Sequence, residues 1–116
     1  MAEKNLLPLL PPEGQRIRNI VVQTPGYQFV RIWWGPNSDS GEHDHPGIEY
    51  GRTVVISGVF EETRDGVTQR YFPGDTFHEY VNTVHRVKTV TGGVTDHFYA
   101  PGLDVSKMKI IKDPTT

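Results

Sequence analysis

The sequence predicts an all-β domain in which short antiparallel strands form a sandwich or a barrel. Turn-forming residues recur roughly every 8 to 12 positions, and the runs between them are rich in β-branched and aromatic side chains. No stretch of about ten residues carries the apolar stripe of an amphipathic helix. With 116 residues the chain has room for one domain with a small core.

The first half of the chain contains three predicted strands. Residues 16–24 form the first and end at a Pro-Gly pair, and residues 27–34 form the second and end at a Gly-Pro-Asn turn. A polar loop then leads to Gly41. The third strand is predicted over 52–62, with a bend or bulge at Gly58.

Shorter strands follow in the second half. The pair Asp65-Gly66 predicts a two-residue hairpin turn into a strand at 67–72. The remaining predicted strands are 76–81, 84–90, 94–100 and, in the tail, 105–111. Strands and turns in this order predict an antiparallel sandwich or barrel.

The N-terminal segment has a different composition. Its prolines and glycine exclude a long helix or a central strand, yet it also carries four leucines. We expect an arm that packs on its own domain or lies on a partner subunit. The predicted organisation is an arm over 1–15, a single domain over 16–111 and a tail over 112–116.

Composition excludes several classes of function. The net charge is −2 and no lysine or arginine cluster occurs, which argues against binding to nucleic acid. The chain has no cysteine, so disulfides and thiolate metal sites are excluded and a reducing compartment is favoured. We find no apolar run long enough to cross a membrane and no signal segment, and we expect a soluble, cytoplasmic protein without a membrane partner.

The segment from Gly41 to Gly58 holds the first candidate site. His43 and His45 are separated by one residue, so on an extended strand both side chains project from the same face. Two neighbouring imidazoles are what a metal ion needs, provided that a third arrives from a later strand. His85 is available for that role, and the pattern predicts that the three converge on one cation inside the barrel.

A second group of polar residues lies in the strand 94–100. Thr95, His97 and Tyr99 share one face, and Asp96 lies on the other, where we expect it to face water. The first three therefore point inward. A hydroxyl, an imidazole and a phenol inside a small barrel all need hydrogen-bond partners, so together they favour the wall of a wet pocket.

These residues resemble the two motifs of the cupin superfamily. The first motif matches Gly41, His43, His45 and Gly58, and the second matches Pro73-Gly74-Asp75 and His85. The flanking segments narrow the resemblance to cysteine-dioxygenase-like enzymes, over roughly residues 16 to 104. The segments that follow the order of those enzymes are Ile17-Arg18-Asn19-Ile20-Val21, Trp34-Gly35, His43-Asp44-His45, Val84-His85-Arg86-Val87 and Thr95-Asp96-His97-Phe98-Tyr99-Ala100-Pro101.

The resemblance implies a small cupin fold, which is a double-stranded β-helix or jelly-roll barrel. It also implies Fe(II) held by the three histidines, and O₂-dependent oxidation of a small thiol carboxylate, of the cysteine or 3-mercaptopropionate type, to a sulfinate. Arg18 would receive the substrate carboxylate. Thr95 would line the substrate side, with His97 and Tyr99 as catalytic hydrogen-bonding partners of substrate or oxygen. In the animal enzymes a cysteine is cross-linked to this tyrosine; here Gly51 occupies its position.

Glu49 leaves a second interpretation open. It lies four residues after His45, at the spacing of cupins with a carboxylate as fourth metal ligand. Three histidines with Glu49 would suit Mn, Zn, Ni or Fe in another oxygenase, an isomerase or a decarboxylase. A non-catalytic, small-molecule-binding cupin is the third interpretation. In each case we expect a small-molecule ligand and a homodimer.

Overall fold

The computed structural model describes residues 10–44, 50–79 and 83–100, and every regular element in these ranges is a β-strand. The strands are β1 (Arg16–Thr24), β2 (Tyr27–Trp34), β3 (Ser38–Asp39), β4 (Tyr50–Ser57), β5 (Phe60–Arg64), β6 (Val67–Tyr71), β7 (Thr76–Glu79), β8 (His85–Thr89) and β9 (Gly93–Ala100). Over these ranges no helix has the length and apolarity needed to span a bilayer. The predicted tail strand at 105–111 lies outside the described residues.

The strands form two antiparallel sheets. One has five strands in the order β1-β2-β9-β4-β7, and the other has four in the order β3-β8-β5-β6. Their inner faces enclose one apolar cluster, in which the Trp34 and Phe60 rings meet edge to face at 5.3 Å across the two sheets. The cluster consists of Val30, Ile32, Trp34, Val55, Phe60, Phe77, Val87 and Tyr99.

Several elements begin and end where local sequence signals predict. Strands β1 and β2 have the predicted bounds, 16–24 and 27–34. The Asp65-Gly66 pair joins β5 to β6 with positive φ angles of 52° and 76°, as a type I′ hairpin turn requires. The predicted all-β, antiparallel fold class is confirmed.

The single strand predicted over 52–62 is wrong. Gly58, with φ +83°, divides it into β4 and β5, which belong to different sheets. A Cβ atom at Gly58 would lie 2.0 Å from the carbonyl oxygen of Gly92, so only glycine fits this crossing. The glycine therefore moves the chain from one layer to the other rather than bending one strand.

The polar loop before Gly41 contains the unpredicted strand β3, which pairs with β8. The described end of the N-terminal arm, residues 10–15, packs on its own domain. Pro11 is buried, Gly14 N–H donates to the Pro36 carbonyl at 2.8 Å, and Gly35 N–H donates to the Gln15 carbonyl at 2.8 Å.

Candidate metal centre and its cavity

His43 and His85 lie side by side in the interior. Their backbones form an antiparallel bridge, with N···O distances of 3.0 and 2.9 Å in the two directions, which continues the pairing of β3 with β8. The imidazole centroids are 4.6 Å apart, and both residues are buried. The pairing thus brings together two histidines that are far apart in sequence.

The hydrogen-bond partners of these rings determine which nitrogen carries the hydrogen. His43 Nδ1 lies 3.0 Å from the carbonyl oxygen of Gly41, and His85 Nδ1 lies 2.8 Å from Oε2 of Glu62. A carbonyl and a carboxylate can only accept, so in the neutral imidazole Nδ1 is the donor. The lone pair suited to a metal is then on Nε2 in both rings.

The separation of the two rings fits a shared ion. Two imidazoles bound through Nε2 at ~2.1 Å, with a ligand–metal–ligand angle of about 90–110°, would place their centroids roughly 5 Å apart. The third predicted imidazole, His45, and the candidate carboxylate ligand, Glu49, lie outside the described residues. Among the residues that are described, no three His, Cys, Asp or Glu side chains form a group able to hold a metal.

A narrow cavity, about 20 Å³ in volume, opens onto these two rings. Its wall contains five of the residues singled out in the sequence, on four different stretches of chain. They are Arg18, His43, His85, His97 and Tyr99. Arg18 lines this cavity and is exposed. Thr95 does not line it but lies directly behind His97.

The inward-facing row of β9 forms a hydrogen-bonded network. Trp34 Nε1–H donates to Oγ1 of Thr95 at 2.8 Å, and that oxygen lies 2.7 Å from His97 Nε2. On the other side of the ring, His97 Nδ1 lies 3.0 Å from the Thr53 hydroxyl and 3.3 Å from the Tyr99 hydroxyl. The network links the indole in the core to the phenol in the cavity wall.

The predicted parity of β9 holds, although one of its premises is wrong. Thr95, His97 and Tyr99 are buried and face inward, but Asp96 on the opposite face is also buried, with 7% of its surface exposed. The Arg31 guanidinium explains this, since it bonds both carboxylate oxygens at 2.6 and 2.7 Å across the β2–β9 pair. This hydrogen-bonded ion pair raises the pKa of Arg31.

Two further placements bear on the sequence predictions. Gly51 lies directly opposite Tyr99 in the β4–β9 pairing, at the position where the resemblance puts the missing cysteine. His78, the remaining one of the chain's five histidines and not one of the predicted ligands, is half-buried, and its Nε2 lies 3.2 Å from the Arg52 guanidinium.

The acceptor of His43 is itself supported by charged residues. Asp39 accepts hydrogen bonds from the N–H of Gly41 at 2.9 Å and from Arg86 Nε at 2.9 Å. Burial opposes ionisation of Asp39, but the bonds from Arg86 and Gly41 outweigh it and hold the pKa of this carboxyl below its ordinary value. An ionised Asp39 therefore secures the turn that presents the Gly41 carbonyl.

Sequence reasoning missed Glu62 and Arg16. Glu62 lies in the Glu61-Glu62 pair of β5, which local sequence does not distinguish from exposed charges, although strand parity with buried Phe60 would have placed it inside. Arg16 lines the cavity beside Arg18, and its guanidinium lies 5.3 Å above the Trp34 ring. Side chains alternate between the two faces of a strand, so the positions of Arg16 and Arg18 in β1 would have placed both arginines on the same face.

Among the comparisons with known proteins, the one with solved structures identifies the fold of this chain. No family model and no curated protein matches the sequence. An RmlC-like cupin from Shewanella frigidimarina matches with a TM-score of 0.71 and 22% identity, over 80% of this chain and 82% of that one. KdgF from a Halomonas species matches with a TM-score of 0.72 and 24% identity, over 78% and 83%.

A third solved structure carries the same architecture. It is an uncharacterised conserved protein with a double-stranded β-helix domain from Klebsiella pneumoniae, which matches with a TM-score of 0.68 and 26% identity, over 79% of this chain and 82% of that one. The chain therefore has the small cupin fold that its sequence predicts.

Proposed function

We propose that this cupin-fold protein is a metal-dependent enzyme, an Fe(II) dioxygenase that oxidises a small thiol carboxylate, of the cysteine or 3-mercaptopropionate type, to a sulfinate. The observation that carries the proposal is a single cavity wall that combines the imidazoles of His43 and His85, the guanidinium of Arg18 and the hydrogen-bonding groups of His97 and Tyr99. We expect the reaction to take place in the cytoplasm, in keeping with a cysteine-free chain.

The donor set suits a divalent ion. His43, His45 and His85 would hold it as three neutral imidazoles, which leave its charge uncompensated and several coordination positions open. Iron bound in this way supplies the redox chemistry that O₂ requires. Elemental analysis of the purified protein distinguishes Fe(II) from the alternatives Mn, Zn and Ni.

The remaining groups would bind and orient the substrate. A guanidinium binds a carboxylate with two parallel hydrogen bonds, so Arg18 would hold the far end of the substrate at the cavity opening and direct the thiol inward. Tyr99 and His97 would hydrogen bond to substrate or oxygen.

The reaction balances without a further reductant. The S–H and O–O bonds break, two S–O bonds form, and the proton passes to the sulfinate or to solvent. Sulfur loses four electrons and O₂ gains four, so thiol and O₂ are the only reactants.

Oxygen uptake tests this proposal. The Fe(II)-loaded chain is expected to consume O₂ with 3-mercaptopropionate or cysteine, and mass spectrometry should find both oxygen atoms in the product. Arg18→Gln should raise KM about 10- to 100-fold, because a hydrogen bond to a charged group contributes ~1.5–3 kcal/mol. Arg70→Gln, on the exposed strand β6, is the matched control. No uptake with any thiol by metal-loaded protein would overturn the proposed substrate.

We also propose that two copies associate through the outer face of the five-stranded sheet. On this face several apolar side chains surround the Arg31–Asp96 ion pair: Ile17 and Tyr50 are 55% and 42% exposed, and the rings of Phe29 and Phe98 stack at 4.7 Å. The outer face of the four-stranded sheet instead carries a cross-strand row of alternating charges. That row is Asp39, Lys88, Glu61 and Arg70. Large exposed apolar patches are typical of interaction surfaces.

Sedimentation velocity tests the association. The native chain should sediment as a dimer, and Ile17→Glu should shift it toward the monomer because a charge would be buried in the interface. Thr68→Glu, on the outer face of the other sheet, should leave the dimer intact. A monomeric native chain would contradict this part of the proposal.

A further inference from the structure

A buried carboxylate lies behind one of the two described imidazoles. Glu62 on β5 places Oε2 2.8 Å from Nδ1 of His85 on β8, and the two side chains are only 5% and 3% exposed. In the β5–β8 pairing His85 is opposite Arg64 and Glu62 is opposite Val87, so the two residues are diagonal neighbours on the inner face. The contact is thus determined by strand register.

The carboxylate is held from its other side by an arginine. The guanidinium of Arg64 donates to the same Oε2 of Glu62 at 2.5 Å, and it also donates to the backbone carbonyl of His78 on β7, in the opposite sheet. A buried carboxylate without a cation would be costly. Arg64 compensates its charge and ties its position to both sheets.

We propose that Glu62 is a positioning residue that orients His85 for metal binding. The inference rests on the proposed metal site, since it assigns His85 as a ligand. By accepting the Nδ1–H bond, Glu62 holds the ring in one orientation, keeps the lone pair on Nε2 and increases the electron density that Nε2 donates. The role differs from that of the Gly41 carbonyl at His43, because Glu62 brings a negative charge.

A purely structural role predicts different behaviour. If Glu62 served only to neutralise Arg64, its replacement would lower stability without changing metal affinity or the position of the hydrogen on His85. A positioning role predicts that the metal affinity and the position of the hydrogen on His85 both change, because Oε2 accepts a hydrogen bond from the imidazole as well as from Arg64.

Metal titration of the full chain separates the two roles. Anaerobic titration with Fe(II), and with Co(II) as a spectroscopic probe, should give a Kd about 10- to 100-fold weaker for Glu62→Leu, the usual effect of losing such a partner. Glu62→Gln keeps an acceptor but loses the charge, so the loss should be smaller. Glu61→Gln is the matched control, since its side chain faces outward and pairs with Arg70 at 3.0 Å.

Imidazole ¹⁵N NMR of the metal-free chain supplies a second readout. His85 should carry its hydrogen on Nδ1 in the native protein and in the Glu61→Gln control, and should shift toward the Nε2–H form in Glu62→Leu. If Glu62→Leu does not fold, the metal Kd of Glu62→Gln tests the inference instead. Native affinity and an unchanged tautomer in a folded Glu62 variant would overturn the inference.

The two proposals fail in distinguishable ways. A native chain that binds neither Fe(II) nor Co(II) contradicts the metal site itself, and with it the assigned role of Glu62. A native chain that binds metal while the Glu62 variants bind equally well contradicts the positioning role alone.

Discussion

Two kinds of buried imidazole face the same cavity. His43 and His85 each direct Nδ1 at a group that can only accept, the carbonyl of Gly41 and the carboxylate of Glu62. His97 instead has hydroxyl groups at both ring nitrogens. All three rings are at least nine-tenths buried, so their partners rather than their exposure distinguish them.

The difference in partners implies a difference in role. A pure acceptor at Nδ1 determines the position of the hydrogen and leaves Nε2 to bind a cation. A hydroxyl donates or accepts by rotating, so Thr95, Thr53 and Tyr99 allow the hydrogen of His97 to lie on either nitrogen. The hydrogen of His97 can therefore change nitrogen while the network of hydroxyl groups stays intact.

The largest expected effect comes from removing a ligand imidazole. His85→Ala should weaken metal binding by more than about 100-fold, which exceeds the usual effect of losing a residue that supports a ligand. Isothermal titration with Fe(II) or Co(II) measures this. His78→Ala, a histidine bonded to Arg52, is the control and should keep native affinity. Equal losses in both variants would contradict the assignment of His85.

Replacing His97 should separate metal binding from turnover. His97→Gln retains hydrogen-bonding groups but removes the imidazole, so we expect the rate of oxygen uptake to fall about 100-fold, as for loss of a positioned hydrogen-bonding or proton-transfer group. The metal Kd should change less than about threefold. If the variant lost its metal instead, the distinction between the two kinds of imidazole would be wrong.

The support of His97 is expected to show in stability. Thr95→Val removes the hydroxyl bonded to Trp34 and His97, and each buried polar atom that loses a partner costs ~1–3 kcal/mol. With two such atoms, the free energy of unfolding should fall by about 2–6 kcal/mol in urea titrations. Thr76→Val, at an exposed position, should be nearly neutral. A large change in metal Kd would contradict the separation of this network from the metal ligands.

The smallest expected effect concerns the turn that carries the acceptor of His43. The pKa of Asp39 is lowered in the folded state, so its ionised form contributes stability above its ordinary pKa, and that contribution is lost as the pH falls through the folded value. In Asp39→Asn this loss of stability at acid pH, on the order of 1 kcal/mol, should be absent. Urea unfolding from neutral pH to below about pH 4 measures it.

The control for this measurement is Asp65→Asn, in an exposed hairpin turn. It should keep the native pH dependence. An Asp39 variant that loses stability in acid as the native chain does would show that other carboxyl groups are responsible.

Local signals in the sequence were sufficient for much of the fold. The bounds of β1 and β2 and the Asp65-Gly66 turn follow from residue type and spacing, which act over a few neighbouring residues. The inward row of Thr95, His97 and Tyr99 follows from the period of two in a strand.

Contacts between distant strands decided the rest. Gly58 divides a run that looks continuous because its backbone meets Gly92 of another segment, and Asp96 is buried because Arg31 lies opposite. The sequence by itself determined which residues alternate inward and that His43 and His85 are candidate ligands. Only the tertiary structure placed Glu62 behind His85, because the register between β5 and β8 is a long-range property that no local pattern contains.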